Sequence, residues 1–248
     1  MRVSVTTLWV PRAGSSVAQY EDAFYPTTDG PRHARRLRFA VADGASESML
    51  AGLWAALLVR TWCKARRRSL PQILELAKGA WDVELAAYLE DRDRTERPIQ
   101  WFEEPGLERG AFATLLGVAF STRSPSNGVW EATSVGDSCL FQVREGELLS
   151  AFPLKSSSEF DNTPKLVPSR TEPPPAESER GDWRTGDTFF LATDAVAAWF
   201  LRSYERGGAP WDELAGLGAV QFPEWAAARR ADRTMRNDDA TVVRIVVA

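Results

Sequence analysis

The sequence predicts an α+β fold in a single domain covering residues 1–248: a four-layer α/β/β/α sandwich, two mainly antiparallel β-sheets flanked by helices. Three observations predict it. The elements run as strands, a helix pair, many strands, helices and a last strand, without the strand–helix rhythm of a parallel sheet. From about residue 110 the apolar pattern changes from helical spacing to segments rich in strand formers. The two ends, "VSVTTLWV" and "DATVVRIVVA", both read as strands and belong in the same core.

Val3 to Val10 is the first strand, and residues 11 to 20 form a loop. Tyr20 to Tyr25 read as a short strand carrying Glu21 and Asp22, and Arg38 to Ala42 as a buried one. Ser46 to Arg67 is a long helix: Ser46 suits the N-cap, and Met49, Leu53, Ala56, Leu57 and Arg60 follow helical spacing. A second helix starts at Ser69, with Pro71 in its first turn. Two helices in series suggest an antiparallel pair laid on one sheet. The strand-rich half is punctuated by "NG" and "EG", and "REGELL" reads as a hairpin. Lys155 to Thr185 is polar, holds "EPPP", and reads as a long, partly ordered loop. Asp194 to Arg206 and Pro223 to Arg233 are helical.

Composition sets outer limits. Apolar residues make up 44% of the 248, enough for a sizeable core. The 34 acids against 30 bases argue against a dedicated nucleic-acid binder. The basic runs "RHARRLR" and "KARRR" read as solvated helix ends or loops, or else as a patch for an anionic partner. Cys63 and Cys139 sit in apolar surroundings and read as small buried side chains. With one histidine, a zinc site is not expected. Neither a signal peptide nor a membrane-spanning run is evident, so the chain reads as soluble and cytoplasmic, without membrane or nucleic-acid partners.

Five aspartates share one context. Asp22, Asp43, Asp137, Asp194 and Asp238 each lie at or beside the end of an apolar strand. Any one alone is an ordinary cap or turn former. Gathered at one end of a sheet they repel, at a cost on the order of 4 kcal/mol per pair at ~4 Å and an effective dielectric of ~20. Divalent cations remove that cost, and hard oxygen ligands point to magnesium or manganese. Gly44, lacking a Cβ, lets its carbonyl approach such an ion.

The blocks "YEDA", "VADGAS", the Ala-Thr of "GAFATLLGVAF", "VGDSCLFQVREGEL", "LATDAV" and "NDDATVVRIVV" resemble, in order, those of the 2C-type metal-dependent protein phosphatases in their bacterial form. They span Tyr20 to Val247. The resemblance implies a double β-sandwich and a metal-dependent phosphomonoester hydrolase acting on phosphoserine and phosphothreonine in proteins. It implies that Asp43 bridges two manganese or magnesium ions and that Gly44 offers its carbonyl to one. Asp194 and Asp238 complete the second ion's shell. Glu21 and Asp22 hold metal-bound waters, so that Asp43, Asp22 and Glu21 form the catalytic set. Asp137 serves a third, weaker site, and Asp239 is a lesser candidate than Asp238. The expected partner is a phosphorylated protein, and the expected state a monomer. A non-catalytic phosphoprotein-binding relative and a small-metabolite phosphatase are the alternatives.

The sequence departs from the family pattern in places. No arginine lies just before Glu21; Arg12, Arg35 and Arg36 are the substitutes considered for gripping phosphate. Ala195 replaces a glycine after Asp194, and Ala45 stands where some members carry a histidine. His33 reads as a surface residue, with an acid near the site as the alternative. The segment around 155–185 is expected to act as a substrate-facing flap. In the insertion Ile99–Gly110, Trp101 and Phe102 are expected to pack as a plug.

Overall fold

The computed structural model describes residues 1–66, 68–161 and 163–248. Its strands are β1 (Arg2–Val10), β2 (Ala23–Tyr25), β3 (Gly30–His33), β4 (Arg36–Ala42), β5 (Phe112–Ala113), β6 (Leu115–Ser124), β7 (Asn127–Val135), β8 (Cys139–Arg144), β9 (Glu147–Phe152), β10 (Val167–Pro168), β11 (Glu177–Arg184), β12 (Thr188–Ala192) and β13 (Ala240–Val247). The helices are α1 (Ala51–Lys64), α2 (Leu70–Arg94), α3 (Glu104–Arg109), α4 (Asp194–Glu205), α5 (Pro210–Ala215) and α6 (Phe222–Ala231). One sheet has the order β3-β1-β13-β12-β8-β9 and the other β11-β7-β6-β4-β2, with every neighbouring pair antiparallel. A small β5–β10 pair stands beside them.

The four layers follow from strand alternation. Phe39 and Val41 of β4 face inward with Phe189 and Leu191 of β12 and Val243 and Ile245 of β13, forming the core between the sheets. The intervening Ala40 and Ala42 face outward under Trp54 and Leu58 of α1. Phe190 and Val242 face outward on the other side, under Val196 and Phe200 of α4. Phe200 stacks on Phe141 with centroids 3.9 Å apart. Burying a large side chain on either face contributes roughly 1.5–3 kcal/mol. A charge on β4 at either Val41 or Ala42 would therefore break one of two cores.

The helix pair departs from expectation at its start. Ser46 is not a cap: α1 begins at Ala51, after Leu50 in the left-handed region at φ 61°. Residues 45–50 form a loop instead, and Ser46 bonds Glu21. The helix was expected to run to Arg67, which lies outside the described residues; α1 ends at Lys64. The second start is as expected. The Ser69 N–H donates to Gln72 Oε1 at 3.1 Å, and Pro71 sits in the first turn of α2. Trp54 and Trp81 meet edge to face at 5.9 Å, locking α2 onto α1.

Several local expectations are corrected. Glu21 and Asp22 precede β2 and are not part of it. Asn127-Gly128 is not a turn but opens β7. A Cβ on Gly128 would lie 2.0 Å from Ser121 O and 2.6 Å from the Trp183 ring, so the glycine serves packing. The Glu145-Gly146 turn does join β8 to β9, with φ of 51° and 79°. The stretch expected as a loop through Thr185 contains β11, eight residues paired along β7. Trp101 and Phe102 are not a plug: they are 80% and 64% exposed and pack on one another. His33 is exposed at the end of β3, which pairs with the half of β1 remote from Val10.

Candidate metal centre

Strand register gathers the acidic residues. Val10 of β1 faces Ala240 of β13, and Ala192 of β12 faces both Val242 and Cys139. In the other sheet Ala42 of β4 faces Ala23 of β2, and Leu115 of β6 faces Val135 of β7. Asp22, Asp43, Asp137, Asp194 and Asp238 flank these positions, so all five emerge at one end of the sandwich. Asp43, Gly44, Asp137, Asp194 and Asp238 line a single cavity of ≈ 640 Å³, with Ser46, Glu47, Asp161 and the arginines Arg109 and Arg236.

Backbone anchoring fixes Asp43. Its N–H donates to Thr114 Oγ1 at 2.9 Å, and its carbonyl accepts from Thr114 N at 2.8 Å. Thr114 Oγ1 also bonds Ser138 Oγ at 2.9 Å, which ties the Asp43 and Asp137 segments together. Gly44 has a second reason to be glycine: a Cβ there would lie 2.7 Å from Glu21 O and 2.8 Å from Ala51 C. The loop carrying Glu21 therefore seats directly on the turn after β4.

Glu21 and Asp22 stand behind the cavity wall. Glu21 Oε2 accepts from Ser46 Oγ at 2.6 Å. Asp22 is buried; its Oδ2 accepts from Thr193 Oγ1 at 2.9 Å and Thr241 Oγ1 at 2.6 Å, while Oδ1 has no partner among the described residues. Asp239 is neither exposed nor part of the cavity lining. Its Oδ1 accepts from Arg12 N at 2.8 Å and its Oδ2 from Glu21 N at 2.7 Å, clamping the loop between β1 and β2 to the start of β13. The Arg12 guanidinium reaches Ser46 Oγ at 3.2 Å. Arg35 and Arg36 are ruled out as substitutes at this site, because the seven residues of β4, roughly 23 Å at strand rise, separate them from Asp43.

The electrostatics are those of an acidic cluster out of water. Burial, then the charges of Asp22, Asp194, Asp238 and Asp137, holds the Asp43 carboxyl well above the usual carboxylate range. Burial and then Asp239 and Asp194 do the same to Asp22, against the two threonine hydrogen bonds. Asp194 is pushed up to about 7 by burial, then by Asp137 and Asp238. Asp137 is pushed up to about 6, chiefly by burial. Its Oδ1 is buried without a hydrogen-bond partner among the described residues.

Among the described residues, no three histidine, cysteine or acidic side chains already close on one point as a finished ion site. The carboxylates instead ring a cavity. The donor set still fits a hard divalent cation: it is all oxygen, it contributes several negative charges, and two of its buried oxygens have no internal partner. Sequence reasoning missed Arg109 and Arg236, because a lone arginine carries no pattern. Thr193 and Thr241 were visible as neighbours of Asp194 and Asp239, but their hydrogen bonds to Asp22 were not.

Comparison with known proteins agrees with this fold. A scan of protein families matches residues 18–222 to protein phosphatase 2C. The chain belongs to that family, the metal-dependent protein phosphatases. A search of curated proteins finds no match. Among solved structures, the serine/threonine phosphatase PstP/Ppp of Mycobacterium tuberculosis is similar at 15% identity and TM-score 0.58, over 100% of this chain and 99% of that one. PppA of Pseudomonas aeruginosa, a component of T6SS regulation, gives 16% and 0.56 over 99% and 98%. The PstP catalytic domain in complex with two manganese ions gives 14% and 0.53 over 99% and 100%. At such identities the likeness speaks for the fold, which is the expected double sandwich.

Proposed function

We propose that residues 1–248 act as one phosphatase-like domain that removes phosphate from phosphoserine and phosphothreonine in proteins, with the cavity as its active site. The observation that carries this reading is the convergence of Asp43, Asp137, Asp194 and Asp238, from four separate segments, on one cavity, where burial makes the charges of Asp43, Asp137 and Asp194 costly. Asp43, Asp194 and Asp238, with the Gly44 carbonyl, would hold two manganese or magnesium ions, and Asp137 a third. Held there, such ions would lower the pKa of a bound water and neutralise charge on the phosphoryl oxygens. Asp22 and Glu21 orient water from behind the wall, Asp22 through its free Oδ1. Asp239 and Thr114 hold the Glu21 and Asp43 backbones in register.

The described residues contain no helix long and apolar enough to cross a membrane. We read the enzyme as cytoplasmic and monomeric, with phosphoprotein substrates entering past Thr163, Pro164 and Leu166, which line the cavity. The test is manganese-stimulated hydrolysis of p-nitrophenyl phosphate, followed by phosphoserine and phosphothreonine peptides against sugar phosphates. Peptides should be preferred, and chelation should stop turnover. A purified protein that hydrolyses none of these with manganese present sinks the reading.

A further inference from the structure

We propose that Arg236 grips the phosphoryl group of the substrate, an inference that rests on the phosphatase reading of the cavity. Arg236 lines the cavity together with Asp43, Asp137, Asp194 and Asp238. Its Nη1 stands 4.0 Å from Asp194 Oδ2, with 43% of the side chain exposed. At that separation no hydrogen bond forms, and a partly exposed pair of this kind contributes little to stability. The guanidinium has no hydrogen-bond acceptor among the described residues, so its donors face the cavity uncommitted.

The backbone beneath it is fixed on both sides. Met235 is buried. Asn237 Oδ1 accepts from Ala13 N at 2.7 Å, and the Asp238 carbonyl accepts from Arg230 Nη2 at 2.6 Å. A free guanidinium on a rigid base is preorganised for an anion. Its planar fork matches two phosphoryl oxygens, which a point charge does not. The other nearby cations are otherwise engaged or placed. Arg230 is spent on the carbonyls of Pro11 and Asp238, and Arg12 on Ser15 and Ser46. Arg109 reaches the same cavity from the end of α3, on the insertion. Arg236 sits against the acidic set with its donors free, and both Asp137 and Asp194 feel its charge. Carboxylates engaged by cations leave that charge for the substrate's dianion.

The test measures inorganic phosphate binding to manganese-loaded protein by calorimetry, alongside p-nitrophenyl phosphate kinetics. Arg236→Ala should weaken phosphate binding and raise KM by about tenfold or more, the loss of a charge-assisted bidentate contact. kcat should change much less, manganese affinity should stay as in the wild type, and Arg236→Lys should recover part of the loss. Wild-type phosphate affinity in the alanine variant overturns the proposal. So does a loss of phosphate binding that appears only together with lost manganese affinity, since that marks a role in shaping Asp194. Because phosphate binding is read without turnover, a wild type that binds phosphate through Arg236 but hydrolyses nothing sinks the functional reading and leaves this one standing.

Discussion

A buried aspartate flanks each end of strand β12: Asp187 precedes it, and Asp194 follows it at the start of α4. Asp187 is wholly buried, and its oxygens are filled by the chain's own donors. Arg144 Nε reaches Oδ1 at 2.6 Å, while Arg144 Nη2, Gln142 Nε2 and Arg184 N reach Oδ2 at 2.8, 2.9 and 2.9 Å. Asp194 has one backbone donor, from Ala195, a guanidinium 4.0 Å away, and other carboxylates as neighbours. A carboxylate satisfied from within belongs to the architecture. One left open among its own kind is a place for something brought from outside.

The contrast can be broken by substitution. Asp43→Asn should lower kcat roughly a thousandfold, the several kcal/mol that a Lewis-acid ion supplies. In the metal-free protein the same change should raise stability, because it removes a repelling charge. Near-normal turnover of p-nitrophenyl phosphate would overturn the assignment of Asp43. Asp187→Ala should act the opposite way, destabilising by about 3–5 kcal/mol in urea denaturation by stranding Arg144 and Gln142, with or without manganese. If Asp187→Ala is neutral, the internal pairing of that end is ornamental and the contrast fails.

Acidity sharpens the same comparison. In chelator, Asp137 and Asp194 titrate at about 6 and about 7 when folded, against an ordinary 3.8. The folded state therefore binds protons more tightly than the unfolded chain across that window. Stability should fall as pH rises from about 4 to about 7, and Asp43 and Asp22, also held well above the usual carboxylate range, add to the fall in the same direction. Glu103, held low by its hydrogen bond from Arg92, acts in the opposite sense but below its ordinary 4.5. Denaturation midpoints taken between about pH 5 and 8 isolate the cavity's contribution, and a rise with pH there would contradict it. The smallest effect expected is for Asp137→Ala: turnover slowed by roughly tenfold, with two ions retained in calorimetry. Loss of all ions would remove Asp137 from a third site.

What the sequence disclosed depended on how local each signal was. Alternation at Phe39–Ala42 and Val242–Ile245 exposed both sheets, because each strand there buries both faces. The aspartates stood out because each interrupts an apolar run. β3 and β11 were hidden. "GPRH" has no apolar alternation, and "ESERGDWR" is an edge strand whose inward face is little more than Gly181 and Trp183. The α1 start was misplaced because Ser46 has a cap's chemistry yet is used by Glu21 and Arg12, contacts made across the chain. Trp101 and Phe102 were misjudged because hydrophobicity argues for burial, while the clamp of Arg92 on Glu103 fixes the insertion outside the core. The double role of Asp239, holding two main-chain amides, leaves no trace in composition or spacing.

β13 lies between β1 and β12, so the strand furthest along the sequence completes the middle of its sheet. During synthesis, which proceeds from the N-terminus, the two halves of that sheet have no common edge until these residues leave the ribosome. A nascent chain therefore holds Asp22, Asp43, Asp137 and Asp194 before the strand that joins their two flanks is in place. Closure of the acidic end therefore waits for Asp238 and Asp239, the last of the clustered acids in chain order.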